Sequence, residues 1–174
     1  YTDIELASFP CSYSTAENLL TKSNVNQNVR VLISGASGVV GSAAIQLAKA
    51  RGAKIIAITS PSKFDEIKLL GASQVISRHD DIVEVLGKNS ITVVIDLVAG
   101  ESWSDFLEVL KPHGRYATSG AIAGPIVELD IRTLYLKDLS FFGCTILEAE
   151  VFGNLIKRIE KKEIAAKSVF FWII

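Results

Sequence analysis

Short runs in which nearly every position is apolar alternate along this chain with stretches whose apolar positions recur at helical spacing. The runs are "VRVLIS" (Val29 to Ser34), "KIIAIT" (Lys54 to Thr59), "QVIS" (Gln74 to Ser77), "TVVIDL" (Thr92 to Leu97), "GRYATS" (Gly114 to Ser119) and "LSFFGC" (Leu139 to Cys144). Several are apolar almost throughout, as strands covered on both faces are. The helical spacing predicts helices over Val39 to Arg51, Ser62 to Leu70, Asp80 to Leu86, Ser102 to Leu110 and Glu150 to Glu163. The last would bury Val151, Leu155, Ile156 and Ile159 on one face. Strands interleaved with helices predict an α/β fold: a doubly wound, parallel, six-stranded sheet in three αβα layers.

Turn chemistry fits these joints. Gly52, Gly71 and Gly114 follow helical stretches, where a left-handed cap is expected. Pro61 and Pro112 are expected just outside regular elements. Ahead of the first strand, "STAENLL" reads as a short helix, with Ser14 as N-cap and Glu17 completing a capping box.

The first strand runs into "SGASGVVGSAAIQLAKARGAKIIAITS" (Ser34 to Ser60), where Gly35, Gly38 and Gly41 are three residues apart. The phosphate-loop pattern becomes A-x-G-x-x-G over Ala36, Gly38 and Gly41. It demands a sharp turn, close approach of backbone to a pyrophosphate, and a helix packed hard on its strand. Amides at the helix start would then face the anion, and Ala43, Ala44 and Ala48 would let the helix lie close to the sheet. The same glycines would also serve a tight turn without a ligand. Position between a strong strand and a strong helix favours a Rossmann dinucleotide site. An NAD site usually ends its second strand in an acid that holds the ribose 2′-hydroxyl. Here the chain reads Thr59, Ser60, Pro61, Ser62, Lys63, with no carboxylate before Asp65. Hydroxyls and a lysine suit a 2′-phosphate. NADP(H) is therefore expected over NAD(H), with Ser60 and Lys63 at the phosphate; the alternative for Lys63 is a solvated residue of the first helical turn.

Composition narrows the picture further. The 174 residues are 49% hydrophobic and carry a formal net charge of -1. That suits a single domain with a real core and gives no reason to expect nucleic acid or a membrane surface as partner. No apolar stretch approaches a membrane span. The two cysteines, Cys11 and Cys144, have no paired-motif spacing, so a reducing, cytoplasmic setting is expected. The absence of Met suggests a piece of a longer protein. The apolar end, residues 168–174 with "VFFWII", is atypical for a soluble domain and would be packed, paired or disordered.

Together, "GASGVVGSAAIQLAKARGAKIIAI", "LLGASQVI", "VIDLVAG", "LKPHGRYATSGAIAG" and "LYLKDLSFFGC" resemble the cofactor domain of medium-chain dehydrogenases/reductases, in the quinone-oxidoreductase and zinc-binding alcohol-dehydrogenase-like branch. The resemblance implies hydride transfer between NAD(P)H and a carbonyl, alcohol, enone or quinone substrate. It also implies a GroES-like catalytic domain, which this stretch would lack, so that the chain alone would turn over little. It places Ala36, Ser37, Gly38, Val39, Val40 and Gly41 at the pyrophosphate and Ser60 and Lys63 toward the adenosine. Leu97 and Val98 would lie near the ribose, and Gly120, Ala121, Ile122, Phe142, Gly143 and Cys144 near the nicotinamide. "FPCSYST" resembles the stretch in which a Cys binds catalytic zinc, which would make Cys11 a ligand only if the missing domain supplied the others. The alternative is a small buried thiol, and Cys144 reads as a core thiol. His79 and His113 have no ligand-like neighbours. Tyr135 and Lys137 are too close for the Tyr-x-x-x-Lys pair of short-chain dehydrogenases, and a methyltransferase would usually place an acid after the second strand. A different reading is a stand-alone nucleotide-binding or interaction module. In either case the edge strand near Phe141, or the apolar end, offers a route to a homodimer.

Overall fold

The computed structural model describes residues 1–166; the apolar end at 168–174 lies outside them. Two helices lead in, α1 (Asp3–Ser8) and α2 (Ser12–Lys22). The alternation then follows as β1 (Arg30–Ile33), α3 (Val39–Ala50), β2 (Lys54–Thr59), α4 (Phe64–Leu70), β3 (Gln74–Ser77), α5 (Ile82–Leu86) and β4 (Ile91–Asp96). It ends as α6 (Trp103–Val109), β5 (Leu110–Thr118), α7 (Ile131–Leu136), β6 (Ser140–Gly143) and α8 (Val151–Glu160). The six strands form one sheet in the order β3-β2-β1-β4-β5-β6, and every pairing is parallel. The order of winding, not the strand direction, reverses between β1 and β4, so a crevice opens at the carboxyl ends of those two strands.

The unbroken apolar strands are explained by two cores. Val31, Ile33, Ile55, Ala57, Val93 and Ile95 point to one side, against α2, α3 and α8. Leu32, Ile56, Ile58 and Val94 point to the other, with Ile82, Leu86 and Phe106 from α5 and α6. A strand residue thus meets apolar neighbours whichever way it faces. Ala43, Ala44 and Ala48 are fully buried, as the close packing of α3 requires.

Several local expectations are corrected. Ser14 is not an N-cap: α2 begins at Ser12, and the Ser14 hydroxyl donates back to the Pro10 carbonyl inside the helix. Glu17 does not complete a box either. It is fully buried and accepts from the Arg51 guanidinium at 2.6 Å, while Arg51 also donates to Thr21 and to the Val25 carbonyl. This pair stitches α2 to the end of α3. The capping box belongs to α1, between Thr2 and Glu5, and Glu5 is held below the usual carboxylate range by its bonds to the Thr2 backbone and side chain. Gly52 and Gly71 take positive φ as expected, at 77° and 127°, but Gly114 does not. There the left-handed residue is His113 (φ 61°), whose amide donates to the Lys137 carbonyl, and Gly114 and Pro112 lie within an irregular β5. The register of β5 on β4 shifts at this point. In α8, Val151 and Leu155 are buried, whereas Ile156 is 42% exposed.

Two outcomes follow. Breaking a buried pair from one side leaves the other charge poorly solvated, so Glu17→Ala should lose about 3 kcal/mol, read as a lower urea midpoint with an unchanged slope. Cys11 is exposed and Cys144 buried, and burial pushes the Cys144 thiol up. A thiol-disulfide reagent at mildly alkaline pH should therefore label Cys11 quickly and Cys144 only on unfolding; equal rates would contradict the buried placement.

Candidate functional site

The turn after β1 sets the site. Gly35 has φ 59°, the left-handed conformation that favours glycine, and a Cβ there would meet Val98 Cγ2 at 3.1 Å. Gly38 caps α3 with backbone alone, so no side chain competes for the first-turn amides. These amides carry the partial positive charge of the helix start. At Gly41 an added Cβ would collide with the Gly35 carbonyl oxygen and sit 2.8 Å from the Ala36 Cα. The three glycines thus do three jobs: reversing the chain, baring the helix start and closing helix on strand.

In front of this turn lies a cleft of about 460 Å³ at the carboxyl ends of the strands. Of the residues expected to form a nucleotide site, Ser37, Gly38, Ser60, Val98 and Ile122 line it. Ala36 is buried beneath the turn, and its amide is already bonded to the Ile58 carbonyl at 3.2 Å. Val39 is exposed beside the cleft, Val40 is half-buried, and Gly41 is taken up by packing. Leu97 is buried behind the wall, and its carbonyl lies where a Cβ on Gly120 would come within 2.7 Å. Ala121 is exposed next to Ile122.

Other expected residues are not brought into the cleft. Lys63 ion-pairs with Glu66 at 3.2 Å and is not part of the lining. Phe142 and Gly143 border a separate groove with Thr21, Lys22, Glu148 and Glu150. Cys144 faces the core, its amide donating to the Thr118 carbonyl. Cys11 is exposed at the start of α2 rather than buried. Among the described residues no group of three or more His, Cys, Asp or Glu could hold a metal ion. A lone thiolate falls short of a zinc donor set, so Cys11 would need further donors from outside the described residues.

The structure adds residues that sequence reasoning passed over. Arg78 leaves the end of β3, with its amide on the Thr59 carbonyl, and is among the residues that line the cleft together with Ser60. Its signal was a basic residue directly after a strand, beside His79. Thr59 Oγ1 is buried in the same wall with no hydrogen-bond partner among the described residues. Ile82, Phe106 and Ala123 complete an apolar side; they come from α5, α6 and a distant loop, which local spacing does not connect. Among the described residues no carboxylate lines the cleft. An orphaned hydroxyl, uncapped helix amides, one guanidinium and apolar walls suit a ligand with phosphates and flat rings.

Comparison with known proteins agrees with this fold. The profile of the zinc-binding dehydrogenase family matches residues 39–161. Human quinone oxidoreductase is 30% identical over 144 residues, covering 79% of this chain and 43% of that protein. Acryloyl-coenzyme A reductase of Metallosphaera sedula is 32% identical over 136 residues, covering 77% and 40%. The crystal structure of a provisionally assigned alcohol dehydrogenase from Sinorhizobium meliloti superposes with a TM-score of 0.90 at 44% identity, over 96% of this chain and 48% of that one. Bacillus subtilis yhfP with NAD bound gives 0.79 at 26% identity, over 92% and 52%. The chain spans about half the length of these relatives, or less. It belongs to the zinc-binding dehydrogenase family, among the medium-chain dehydrogenases/reductases, and corresponds to their cofactor-binding half.

Proposed function

We propose that this chain is the NADP(H)-binding part of an oxidoreductase that passes a hydride between the nicotinamide and a carbonyl, enone or quinone. The observation that supports the choice of NADP(H) is the end of the cleft next to β2. Ser60 and Arg78 line it, and among the described residues no carboxylate does. An acid there would hold a ribose hydroxyl and repel a phosphate, whereas a guanidinium pairs with phosphate in a fork. Lys63, with its Glu66 partner, becomes an outer contributor. The B. subtilis protein of the same fold has NAD bound, and the shared fold does not decide between the cofactors.

In this reading the α3 start holds the pyrophosphate, and Val98, Gly120, Ala121 and Ile122 flank the other half of the cofactor. The bound nucleotide supplies the hydride; the chain's residues bind, orient and exclude water. Groups that would move the substrate's proton are not assigned to this chain. Among the described residues no helix is long and apolar enough to cross a membrane, and two free thiols suit a reducing cytoplasm. The alternative, a binding module without turnover, draws on the edge position of β6, beside which Tyr135 and Leu136 are exposed. That edge is also where a second copy could pair.

Calorimetric titration separates the cofactors. NADPH should bind at least tenfold more tightly than NADH, the size of one charge-assisted bond. Arg78→Ala should remove most of that difference, and Ser60→Asp should turn it toward NADH. Equal binding of both cofactors by the unaltered chain would sink the assignment. Turnover should be negligible with NADPH and a panel of quinones, enones and aldehydes; robust turnover would show that the chain carries its own proton-moving groups.

A further inference from the structure

We infer that Asp96 is a positioning residue for the nucleotide cleft, acting through the loop 97–100; the inference rests on reading that cleft as a dinucleotide site. Asp96 ends β4, is fully buried and is not part of the cleft lining. Its carboxylate is met by four donors. The Ser34 hydroxyl and the Tyr116 hydroxyl each donate at 2.5 Å. The amide of Val98 donates at 2.9 Å, and that of Ala99 reaches both oxygens at 3.1 and 3.2 Å.

The last two bonds hold the loop in a shape it would not otherwise keep. Ala99 has φ 56°, which strains a residue with a Cβ. The constraint then passes to the cleft. The Val98 side chain lies against Gly35, and the Val98 carbonyl accepts from the amide of Ala123, another lining residue. Ser34, the residue before the glycine turn, donates to Asp96 and accepts from the Leu97 amide at 2.9 Å. One carboxylate therefore ties the exits of β1 and β4 to β5. Burial, and then the neighbouring Asp96 charge, raise the Tyr116 hydroxyl far above the ordinary phenol range, so it remains a donor. Trp103 and Phe141 pack edge-on against its ring.

The test measures binding of NADPH and of adenosine 2′-monophosphate, which has no 5′-phosphate to reach the glycine turn and would occupy only the end near Ser60. It adds amide hydrogen exchange over 97–100. In Asp96→Ala, NADPH should bind about tenfold or more weakly, the scale of losing charged hydrogen bonds, with the 2′-monophosphate unchanged. The Val98 and Ala99 amides should exchange faster while β4 stays protected, and Asp96→Asn, which keeps one acceptor oxygen, should recover part of the affinity. A folded Asp96→Ala that binds NADPH normally, or that weakens both ligands equally, overturns the inference. Should that variant not fold, Ser34→Ala and Tyr116→Phe decide on the same readouts, and normal NADPH binding in both overturns it. Failure of the unaltered chain to bind either ligand would instead refute the cofactor reading, and unchanged exchange at 97–100 in the folded variants would then refute positioning.

Discussion

At the Gly41 α-carbon there is room for a hydrogen and nothing more. The Gly35 carbonyl and the Ala36 backbone fill the space a Cβ would need. This contact sets how near α3 comes to the end of β1, and other features follow from that distance. The alanine face of α3 can be fully buried only at this approach. The start of α3 opens at the carboxyl end of the sheet because the turn at Gly35 is so short. A longer turn would place the uncapped amides elsewhere, and the cleft would lose its focus of positive potential.

Much of this was legible in the sequence because the physics there is local. Apolar runs without alternation announced strands covered twice, and β1, β2, β3 and β4 fall where Val29 to Ser34, Lys54 to Thr59, Gln74 to Ser77 and Thr92 to Leu97 were expected, within a residue or so. The glycine spacing announced the turn. What local reading missed depends on partners distant in sequence. Ser14 and Glu17 have the spacing of a capping box, yet Glu17 is claimed by Arg51, 34 residues on. Gly114 looked like a helix cap because it follows one, but the bend is carried by His113, whose amide is held by Lys137. The signal for α1 was present in Thr2 and Glu5 and was passed over.

The candidate site divides in the same way. The glycine turn and the end of β2 are each written in a short stretch of residues, so Ser37, Gly38 and Ser60 were expected at a site there, and all three line the cleft. The walls are assembled from strand ends that only the fold brings together. Arg78 and Phe106 reach the cleft from β3 and α6, and no period in the sequence connects them to a glycine loop. The resemblance places Phe142, Gly143 and Cys144 near the nicotinamide. In the structure they lie at the end of β6, the edge strand of the sheet, where Phe142 and Gly143 border a groove separate from the cleft above β1.

Cofactor choice then turns on charge more than on shape. The glycine turn and the parallel sheet would receive either dinucleotide, since both carry the same pyrophosphate and the same rings. The two differ by one phosphate on one ribose. A single carboxylate or guanidinium near that ribose is worth more than any adjustment of the walls, because charge-assisted bonds are about twice as strong as neutral ones. Lys63 shows why the presence of a cation near β2 does not suffice. Its ammonium already has an acidic partner in Glu66, and giving up that partner offsets part of what a phosphate would return. Arg78 does not stand under that limit: the bond its side chain makes is a long one, 3.4 Å to His79, and a fork of donors can keep one neighbour while engaging another. Under the proposed reading, the residue to alter first for specificity is therefore Arg78 at the end of β3 and not Lys63 in the helix after β2, although the helix is where the sequence first draws the eye.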